Sequence, residues 1–172
     1  INLNDLNFSL EDLEKKIKKI KPQIVIPVHM GGHPCDMVKI KKLSKKYQFK
    51  IVEDAAHALG SSYLTKKLND KVGNCRYSDL AVFSLHPVKT ITTGEGGVIT
   101  TNNKETYKKL LRLRSHGINK ANDKFLNKKY AYTKGKVNPW YYEMRELGYH
   151  YRITDIQCAL GITQLKKIDS FV

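Results

Sequence analysis

The sequence QIVIPVHMGGHPCDMVKIKKLSKKYQFKIVED, residues 23–54, decides the fold of this protein. Its first part, residues 23–28, is a short apolar, β-branched run that predicts a buried strand. After a loop rich in glycine and proline, Asp36 is a candidate N-cap for a helix over residues 37–47. A second apolar run over residues 49–52 predicts the next strand. Strand, helix and strand at this spacing predict a βαβ unit with parallel strands, and therefore an α/β fold.

Further elements are predicted on both sides of this unit. They are a helix over residues 10–20 capped by Ser9, strands over residues 79–84 and 97–101, a helix after Asn103 that ends near residue 113, and an amphipathic helix over residues 154–167. Residues 117–137 are polar, rich in Lys and Asn and only weakly periodic. This segment is therefore predicted to be an irregular excursion or a mobile loop.

The charge of the chain is unusual, with 31 Lys and Arg against 16 Asp and Glu and a formal net charge of +15. Such a balance is compatible with nucleic-acid or anionic-membrane binding. Only five of the basic residues are arginines, however, although phosphate and base recognition favour Arg. A lysine-heavy chain rich in Asn and Ile is also typical of an AT-rich genome. Without an RRM, zinc-finger or helix-turn-helix pattern, and without an apolar run of ~20 residues, we expect neither a nucleic-acid nor a membrane partner.

The three cysteines lie far apart and none forms a C-x-x-C pair. This spacing fits neither a disulfide framework nor a zinc site, so no metal is expected, and a reducing, cytoplasmic location is the expectation. The chain begins at Ile1 without Met, and residues 164–172 stop inside a helix-like pattern. We therefore expect an internal fragment of a longer protein.

The first candidate for chemistry is the sequence Glu-Asp-Ala-Ala-His, which ends at His57 and follows a predicted strand. Ligands of open α/β sheets bind outside the carboxyl ends of strands, where Asp54 is expected to lie. The alternative is that Asp54 only caps a following helix. Both interpretations fit the local sequence.

The second candidate is Lys89, which follows an apolar strand and lies among His, Pro, Thr and Gly residues. A lysine nucleophile must be deprotonated, and desolvation favours that state. Neighbouring hydroxyls and glycine N–H groups could hold a phosphate, and Ser84, Thr92 and Thr93 are candidate hydroxyls. The alternative is that Lys89 is one more surface charge.

Together the two candidates match the needs of a pyridoxal phosphate (PLP) site. In such a site a lysine forms the Schiff base and a carboxylate pairs with the pyridinium nitrogen. Lys89 and Asp54 supply these two groups.

Three ordered motifs resemble those of the DegT family of PLP-dependent nucleotide-sugar aminotransferases: IVEDAAHALG (51–60), FSLHPVKTITTGEGG (83–97) and GYHYRITDIQCALG (148–161). Within it, His57, HPVK (86–89) and VHMGGHPCD (28–36) are most similar to the pseudaminic acid branch, the UDP-4-keto-sugar 4-aminotransferases. The resemblance implies a fold type I large domain with a mostly parallel central sheet flanked by helices, incomplete at both ends. Residues 1–172 would be its middle part, without the N-terminal start and the C-terminal small domain.

The resemblance also implies roles for individual residues. Lys89 would bind PLP covalently and move protons, Asp54 would pair with the pyridine nitrogen, His57 would lie near the ring and Ser84 would hold the phosphate. His150 stands where relatives commonly have an Asn that reaches the phosphate of the neighbouring subunit's cofactor. A homodimer with shared active sites is therefore implied.

The implied reaction moves the amino group of L-glutamate, through the cofactor, to a nucleotide-linked 4-keto-6-deoxy sugar, expected to be UDP-linked. Another branch of the family would use a dTDP- or GDP-linked keto sugar. Related dehydratases carry His where this chain has Lys89, which argues against dehydration. A catalytically impaired relative kept for assembly and a basic nucleic-acid-binding module are the remaining alternatives.

Overall fold

The structure, a computed structural model, describes residues 1–65, 70–119 and 124–172. The chain divides into two compact units. The first unit comprises Ile1–Asn102 and Thr154–Val172, and the second comprises Asn103–Ile153.

In chain order the elements are α1 (Leu10–Ile20), β1 (Ile24–Val25), α2 (Met37–Tyr47), β2 (Lys50–Asp54), β3 (Leu80–Ser84), β4 (Gly97–Thr100), α3 (Lys104–Leu113), β5 (Ile118–Asn119), α4 (Lys128–Ala131), β6 (Tyr132–Thr133), β7 (Lys136–Val137), β8 (Glu143–Met144), α5 (Asp155–Leu165) and α6 (Ile168–Phe171). A 3₁₀ turn over Met30–Gly32 follows β1. No helix in the described part of the chain is long and apolar enough to span a bilayer.

The first unit is built on a four-stranded sheet with the strand order β1-β2-β3-β4. β1 pairs with β2 and β2 with β3 in parallel, whereas β3 and β4 are antiparallel. The crossover from β1 to β2 runs through α2, as a parallel pair requires. The predictions of a βαβ unit and of a mostly parallel sheet are therefore confirmed.

The helices of the first unit begin at the side chains predicted to cap them. Ser9 Oγ accepts a hydrogen bond from the Asp12 N–H at 3.4 Å, and Asp36 Oδ1 accepts one from the Lys39 N–H at 3.0 Å. α1 and α2 pack together, and Glu14 on α1 accepts a hydrogen bond from the Tyr47 hydroxyl on α2 at 2.7 Å. These helices cover one face of the sheet around a core in which Ile40 and Ile51 are fully buried.

β1 is shorter than the predicted strand, and the burial of its side chains also differs from the prediction. Only Ile24 and Val25 pair with β2, because Pro27 has no N–H to donate, and a single bridge then joins Val28 to Asp54. Val25 and Pro27 are buried, but the alternate side chains are exposed in this structure: Ile24, Ile26 and Val28. The predicted strand is therefore present but short, and the prediction that it is buried is correct for one of its two faces only.

The second unit replaces most of the predicted irregular segment with short paired elements. β5 pairs with β8, and β6 pairs with β7 directly after α4. Phe125 is buried, with its ring centroid 5.1 Å from that of Tyr141 and 6.1 Å from that of Tyr132. The described part of residues 117–137 is therefore more regular than its polar, weakly periodic sequence indicated, and it lies in a unit separate from the four-stranded sheet, as an excursion would. Residues 120–123 lie outside the described residues.

α5 begins at a capping box. The sequence pattern predicted the start of a helix at this position but not the capping box itself. The Gln157 N–H donates to Thr154 Oγ1 at 3.3 Å, and the Thr154 N–H donates to Gln157 Oε1 at 3.0 Å. The predicted helix is confirmed. Its apolar side chains are nevertheless exposed within this chain, with Ile156 84% exposed and Ile162 60% exposed.

Candidate active site

The candidate site lies at the edge of the sheet where β2 and β3 end. Asp54 is the last residue of β2 and pairs with Val82 of β3, while Ser84 ends β3 two residues later. Because β2 and β3 are parallel, their carboxyl ends share one edge, which is where open α/β sheets bind ligands.

Asp54 is half-buried and presents one carboxylate oxygen without a partner. Its Oδ1 accepts a hydrogen bond from the Ala56 N–H at 3.1 Å, and no residue in the described ranges bonds to Oδ2. Residues 55–60 form turns rather than a helix, so the interpretation of Asp54 as a helix cap is wrong. One oxygen therefore fixes the turn after β2, and the other is available to a ligand.

The main chain of Asp54 is held from both sides. Its N–H donates to the Pro27 carbonyl at 2.9 Å, and its carbonyl accepts from the His29 N–H at 3.0 Å. On the side of β3, the Ala55 N–H donates to the Val82 carbonyl at 2.9 Å. The carboxylate therefore projects from a fixed backbone.

His57 is exposed and lies on the turn that follows Asp54. A Cβ at Gly32 would lie 2.7 Å from the His57 carbonyl oxygen, so the 3₁₀ turn after β1 packs directly against this backbone. The Ser61 hydroxyl donates to the Gly32 carbonyl at 2.8 Å and closes the contact. These contacts position His57 through its main chain and leave the imidazole accessible.

Lys89 lies in the connection between the antiparallel strands β3 and β4. The Leu85 N–H donates to the Gly96 carbonyl at 2.9 Å and closes the base of this loop, and the Lys89 N–H donates to the His86 carbonyl at 3.0 Å within it. The side chain is half-buried, and its ammonium has no ion pair or hydrogen bond to any residue that the structure describes. Lys89 therefore differs from a surface lysine paired with a carboxylate.

The hydroxyls near Lys89 have different functions. The Thr92 hydroxyl donates to the Leu85 carbonyl at 3.0 Å, and the Thr93 hydroxyl donates to the Glu95 carbonyl at 2.7 Å, so both hydrogens are used inside the loop. Ser84 Oγ accepts from the His86 N–H at 3.3 Å and keeps its own hydrogen for another partner. Of the three candidate phosphate donors, only Ser84 remains.

His150 lies in the second unit, where it forms an isolated antiparallel β-bridge with Ser115. Its exposed ring lies edge-on to that of His116, with the centroids 5.4 Å apart. The structure thus brings Asp54, Ser84 and Lys89 to one sheet edge, with His57 on the adjoining turn. His150, in contrast, belongs to the second unit.

The sequence of the whole chain, residues 1–172, matches the profile of the DegT/DnrJ/EryC1/StrS aminotransferase family. The chain belongs to this family. Its sequence is 42% identical over 168 residues to a UDP-4-amino-4,6-dideoxy-N-acetyl-β-L-altrosamine transaminase of Campylobacter jejuni (strain 81-176), a match that covers 96% of this chain and 39% of that protein. The chain thus spans about 40% of the length of the curated relatives it matches.

Solved structures of DegT-family proteins have the same fold. The Helicobacter pylori aminotransferase PseC, involved in the biosynthesis of pseudaminic acid, matches with a TM-score of 0.79 and 34% identity over 97% of this chain and 39% of its own. The PLP form of the putative sugar aminotransferase Spr1654 from Streptococcus pneumoniae matches with a TM-score of 0.76 and 28% identity over 99% of this chain and 42% of its own. The expected fold type I architecture is confirmed.

The residues at the sheet edge fit the cofactor of DegT-family aminotransferases. PLP requires an anionic partner for its ring nitrogen, an amine for its carbonyl carbon and donors for its phosphate. Among the described residues, Asp54 offers an oxygen without a partner, Lys89 offers an amine without an ion pair, and Ser84 retains a hydroxyl hydrogen. The donor set is therefore complementary to the three polar parts of the cofactor.

Sequence reasoning missed the residues behind this edge. Glu53 precedes Asp54, is fully buried, and accepts hydrogen bonds from His29, Tyr63 and Ser78. Burial and the neighbouring Glu53 charge raise the pKa of Tyr63 well above its ordinary value, so Tyr63 is a hydroxyl donor at neutral pH. Strand alternation was the available signal, because a carboxylate directly before an outward-facing Asp54 must face the core.

Proposed function

We propose that the protein to which this chain belongs is a PLP-dependent aminotransferase. It transfers the amino group of L-glutamate to a nucleotide-linked 4-keto-6-deoxy sugar. One observation carries the proposal: Asp54, with an oxygen without a partner, lies at the sheet edge next to the loop of Lys89, whose amine has no ion pair within the described ranges. Membership of an aminotransferase family supports it.

Asp54 and Lys89 have complementary roles in this proposal. When bound, PLP supplies an electron sink for the carbanion left when a substrate Cα–H is removed. Asp54 Oδ2 accepts the hydrogen bond of the ring N–H, and its negative charge keeps that nitrogen protonated. Lys89 would hold the cofactor through its amine, and that amine would also hold or move the proton at the substrate carbon.

The remaining residues orient the reactants. Ser84, whose oxygen accepts the His86 N–H, would donate its hydroxyl hydrogen to the phosphate, and the exposed imidazole of His57 would lie near the ring. His150 contributes to the phosphate site of the neighbouring subunit in a homodimer. Residues 1–172 form the middle of the large, PLP-binding domain in this proposal.

The proposed sugar is UDP-linked and of the pseudaminic acid type. The similarity to the Campylobacter transaminase and to Helicobacter PseC supports this choice. Amino acceptors linked to dTDP or GDP are the alternative within the family. Lysine rather than histidine at position 89 supports transamination over dehydration.

The first test is the visible absorbance of the full-length protein purified with PLP. We expect the band of lysine-bound cofactor in the wild type, its loss in Lys89→Ala and its retention in Lys39→Ala, which removes an exposed lysine of α2. A wild type without the band, or Lys89→Ala with an undiminished band, would overturn the proposal.

The second test identifies the acceptor. The loaded protein is incubated with L-glutamate and a panel of UDP-, dTDP- and GDP-linked 4-keto sugars, and amino-sugar formation is followed by mass spectrometry. We expect the UDP-linked sugar to have the highest kcat/KM. A higher value for another nucleotide would replace the proposed substrate, and no turnover in a protein that shows the band would indicate an impaired relative.

A further inference from the structure

A buried carboxylate lies directly behind the candidate site. Glu53 is 0% exposed and is followed at once by Asp54, the last residue of β2. Successive side chains of a strand point to opposite faces, so Glu53 faces the core while Asp54 faces the sheet edge. Because a carboxylate loses its hydration on burial, it persists there only with hydrogen-bond partners.

Three donors surround Glu53. His29 Nε2 lies 2.8 Å from Oε2, the Tyr63 hydroxyl lies 2.9 and 2.8 Å from Oε1 and Oε2, and the Ser78 hydroxyl donates to Oε1. We call these four residues the Glu53 network. Its members come from the loop after β1, from β2 and from two well-separated points of the connection between β2 and β3, so the network joins these segments behind the site.

The hydrogen bonds of His29 define its protonation. His29 is fully buried, and its Nδ1 accepts a hydrogen bond from the Cys35 N–H at 3.2 Å. The ring proton must then reside on Nε2, which donates it to Glu53. All donors in the Glu53 network are therefore neutral, and the negative charge of Glu53 is not cancelled by a cation within it.

His29 also connects the network to Asp54. Its side chain is held by Glu53 and its main-chain N–H donates to the Asp54 carbonyl at 3.0 Å. A displacement of His29 would move the backbone from which the Asp54 carboxylate projects.

We propose that Glu53 is a positioning residue for the cofactor-binding carboxylate of Asp54, with His29 as the connecting residue. The inference rests on the proposed function of Asp54. Glu53 acts in two ways: its network fixes the end of β2, and its uncancelled charge favours a cationic ring nitrogen at the edge that Asp54 faces. Glu53 does not touch the cofactor in this assignment.

A purely structural role for Glu53 is the competing explanation, and Asp70 provides its matched control. Asp70 is a second buried carboxylate of the first unit, 2% exposed, that accepts hydrogen bonds from Asn74 at 2.8 Å and Tyr77 at 2.9 Å. The Asp70 side chain makes no hydrogen bond to Glu53, His29, Tyr63 or Ser78 in the described chain. Its main-chain carbonyl accepts the Tyr63 N–H at 2.8 Å, a bond that a side-chain substitution retains. Asp70→Asn therefore changes a buried carboxylate without removing any hydrogen bond to Glu53.

The test uses the full-length protein with PLP and the variants Glu53→Gln and Asp70→Asn. The amide group that Glu53→Gln introduces would place donor against donor in the Glu53 network, since His29, Tyr63 and Ser78 all donate. We expect Glu53→Gln to raise the Kd for PLP about tenfold, the effect typical of removing a supporting residue. It should also reduce the induced circular dichroism of the bound cofactor at saturation and lower kcat with little change in the KM for glutamate.

Asp70→Asn should leave the Kd and the circular dichroism at wild-type values even where it lowers the melting temperature. Wild-type values of both in a folded Glu53→Gln protein would overturn the inference, as would equal changes in both variants. If Glu53→Gln does not fold, Tyr63→Phe decides. That variant keeps the carboxylate but removes one donor, and we expect a smaller rise in Kd, of about threefold. An unchanged Kd and spectrum in Tyr63→Phe would then refute the inference.

Failure of the proposed function would give a different experimental result from failure of the role assigned to Glu53. A wild-type protein without lysine-bound cofactor would refute the role of Asp54 and with it the inference. A wild type that shows the band, together with variants that bind PLP normally, would refute only the role of Glu53.

Discussion

Gly32 lies against the backbone of His57 so closely that a Cβ at position 32 would be 2.7 Å from the His57 carbonyl oxygen. Gly32 also has φ +85°, a conformation that side chains of L-residues rarely adopt. The turn after β1 therefore requires glycine for two independent reasons, and the close contact is the one that involves the segment carrying His57.

Gly32→Ala is expected to destabilise the protein by at least about 2 kcal/mol, because left-handed strain and a backbone clash add together. The Kd for PLP should rise as well, since the clash displaces the turn that carries His57. Urea denaturation and fluorescence titration with PLP measure the two effects.

Gly31→Ala is the control for the clash. Gly31 has φ +57° but no heavy atom lies within 4 Å of a Cβ built there. Only the strain remains, so we expect a loss of about 1 kcal/mol and an unchanged Kd for PLP. Equal effects of the two substitutions would show that the Gly32–His57 contact contributes nothing.

Asp54→Asn is expected to abolish most activity while the fold is kept. An Asn side chain can still accept the Ala56 N–H with its oxygen, but its amide group cannot accept a hydrogen bond from the cofactor's ring N–H. We expect kcat to fall about 100-fold or more. Steady-state kinetics of the full-length protein with L-glutamate give the value.

Asp36→Asn makes the same chemical change away from the site. The Asp36 carboxylate caps α2 through the Lys39 N–H, and Asn is an equally good cap. Its kcat should match that of the wild type. A small effect of Asp54→Asn on kcat, within the range of this control, would rule out the assigned role of Asp54.

The sequence predicted the features that depend on local interactions. Ser9, Asp36 and Asn103 cap the helices expected after them, because a cap needs only an oxygen and an N–H three residues later. Asp54 was recognised because it follows an apolar strand. Lys89 was recognised because its surroundings differ from those of a helix-surface lysine.

Outside the βαβ unit, features that depend on distant pairing were not predicted from the local sequence. β5 pairs with β8, about 25 residues away in sequence. The cluster around Phe125 likewise depends on Tyr141, which lies 16 residues further along the chain. The Glu53 network likewise joins residues far apart in the chain, such as His29 and Glu53, which are 24 residues apart. A short polar segment carries no local sign of such partners, and neither does a single buried carboxylate.

Thr154→Ala is expected to destabilise α5 by about 1 kcal/mol, because it removes the acceptor for the Gln157 N–H and one half of the capping box. Thr163→Ala in the same helix is the control. Its hydroxyl donates only to the Leu160 carbonyl, so this change should be neutral or slightly stabilising. Hydrogen exchange of the α5 amides measures both, and equal protection in the two variants would contradict the capping role.

Asp70 is expected to contribute to acid sensitivity. Burial raises the pKa of its carboxyl, but hydrogen bonds from Asn74, Tyr77 and Thr65 outweigh this effect and hold the pKa below its ordinary value of 3.8. A group whose pKa is depressed on folding stabilises the fold above its unfolded pKa and loses that contribution as the pH falls through the folded pKa. The free-energy difference between wild type and Asp70→Asn should therefore be constant from about pH 5 to 7 and shrink below about pH 4. Urea denaturation across this pH range measures the free-energy difference. Glu11→Gln, which removes an exposed carboxylate of α1, is the control for net charge. A free-energy difference that does not vary with pH would contradict the prediction.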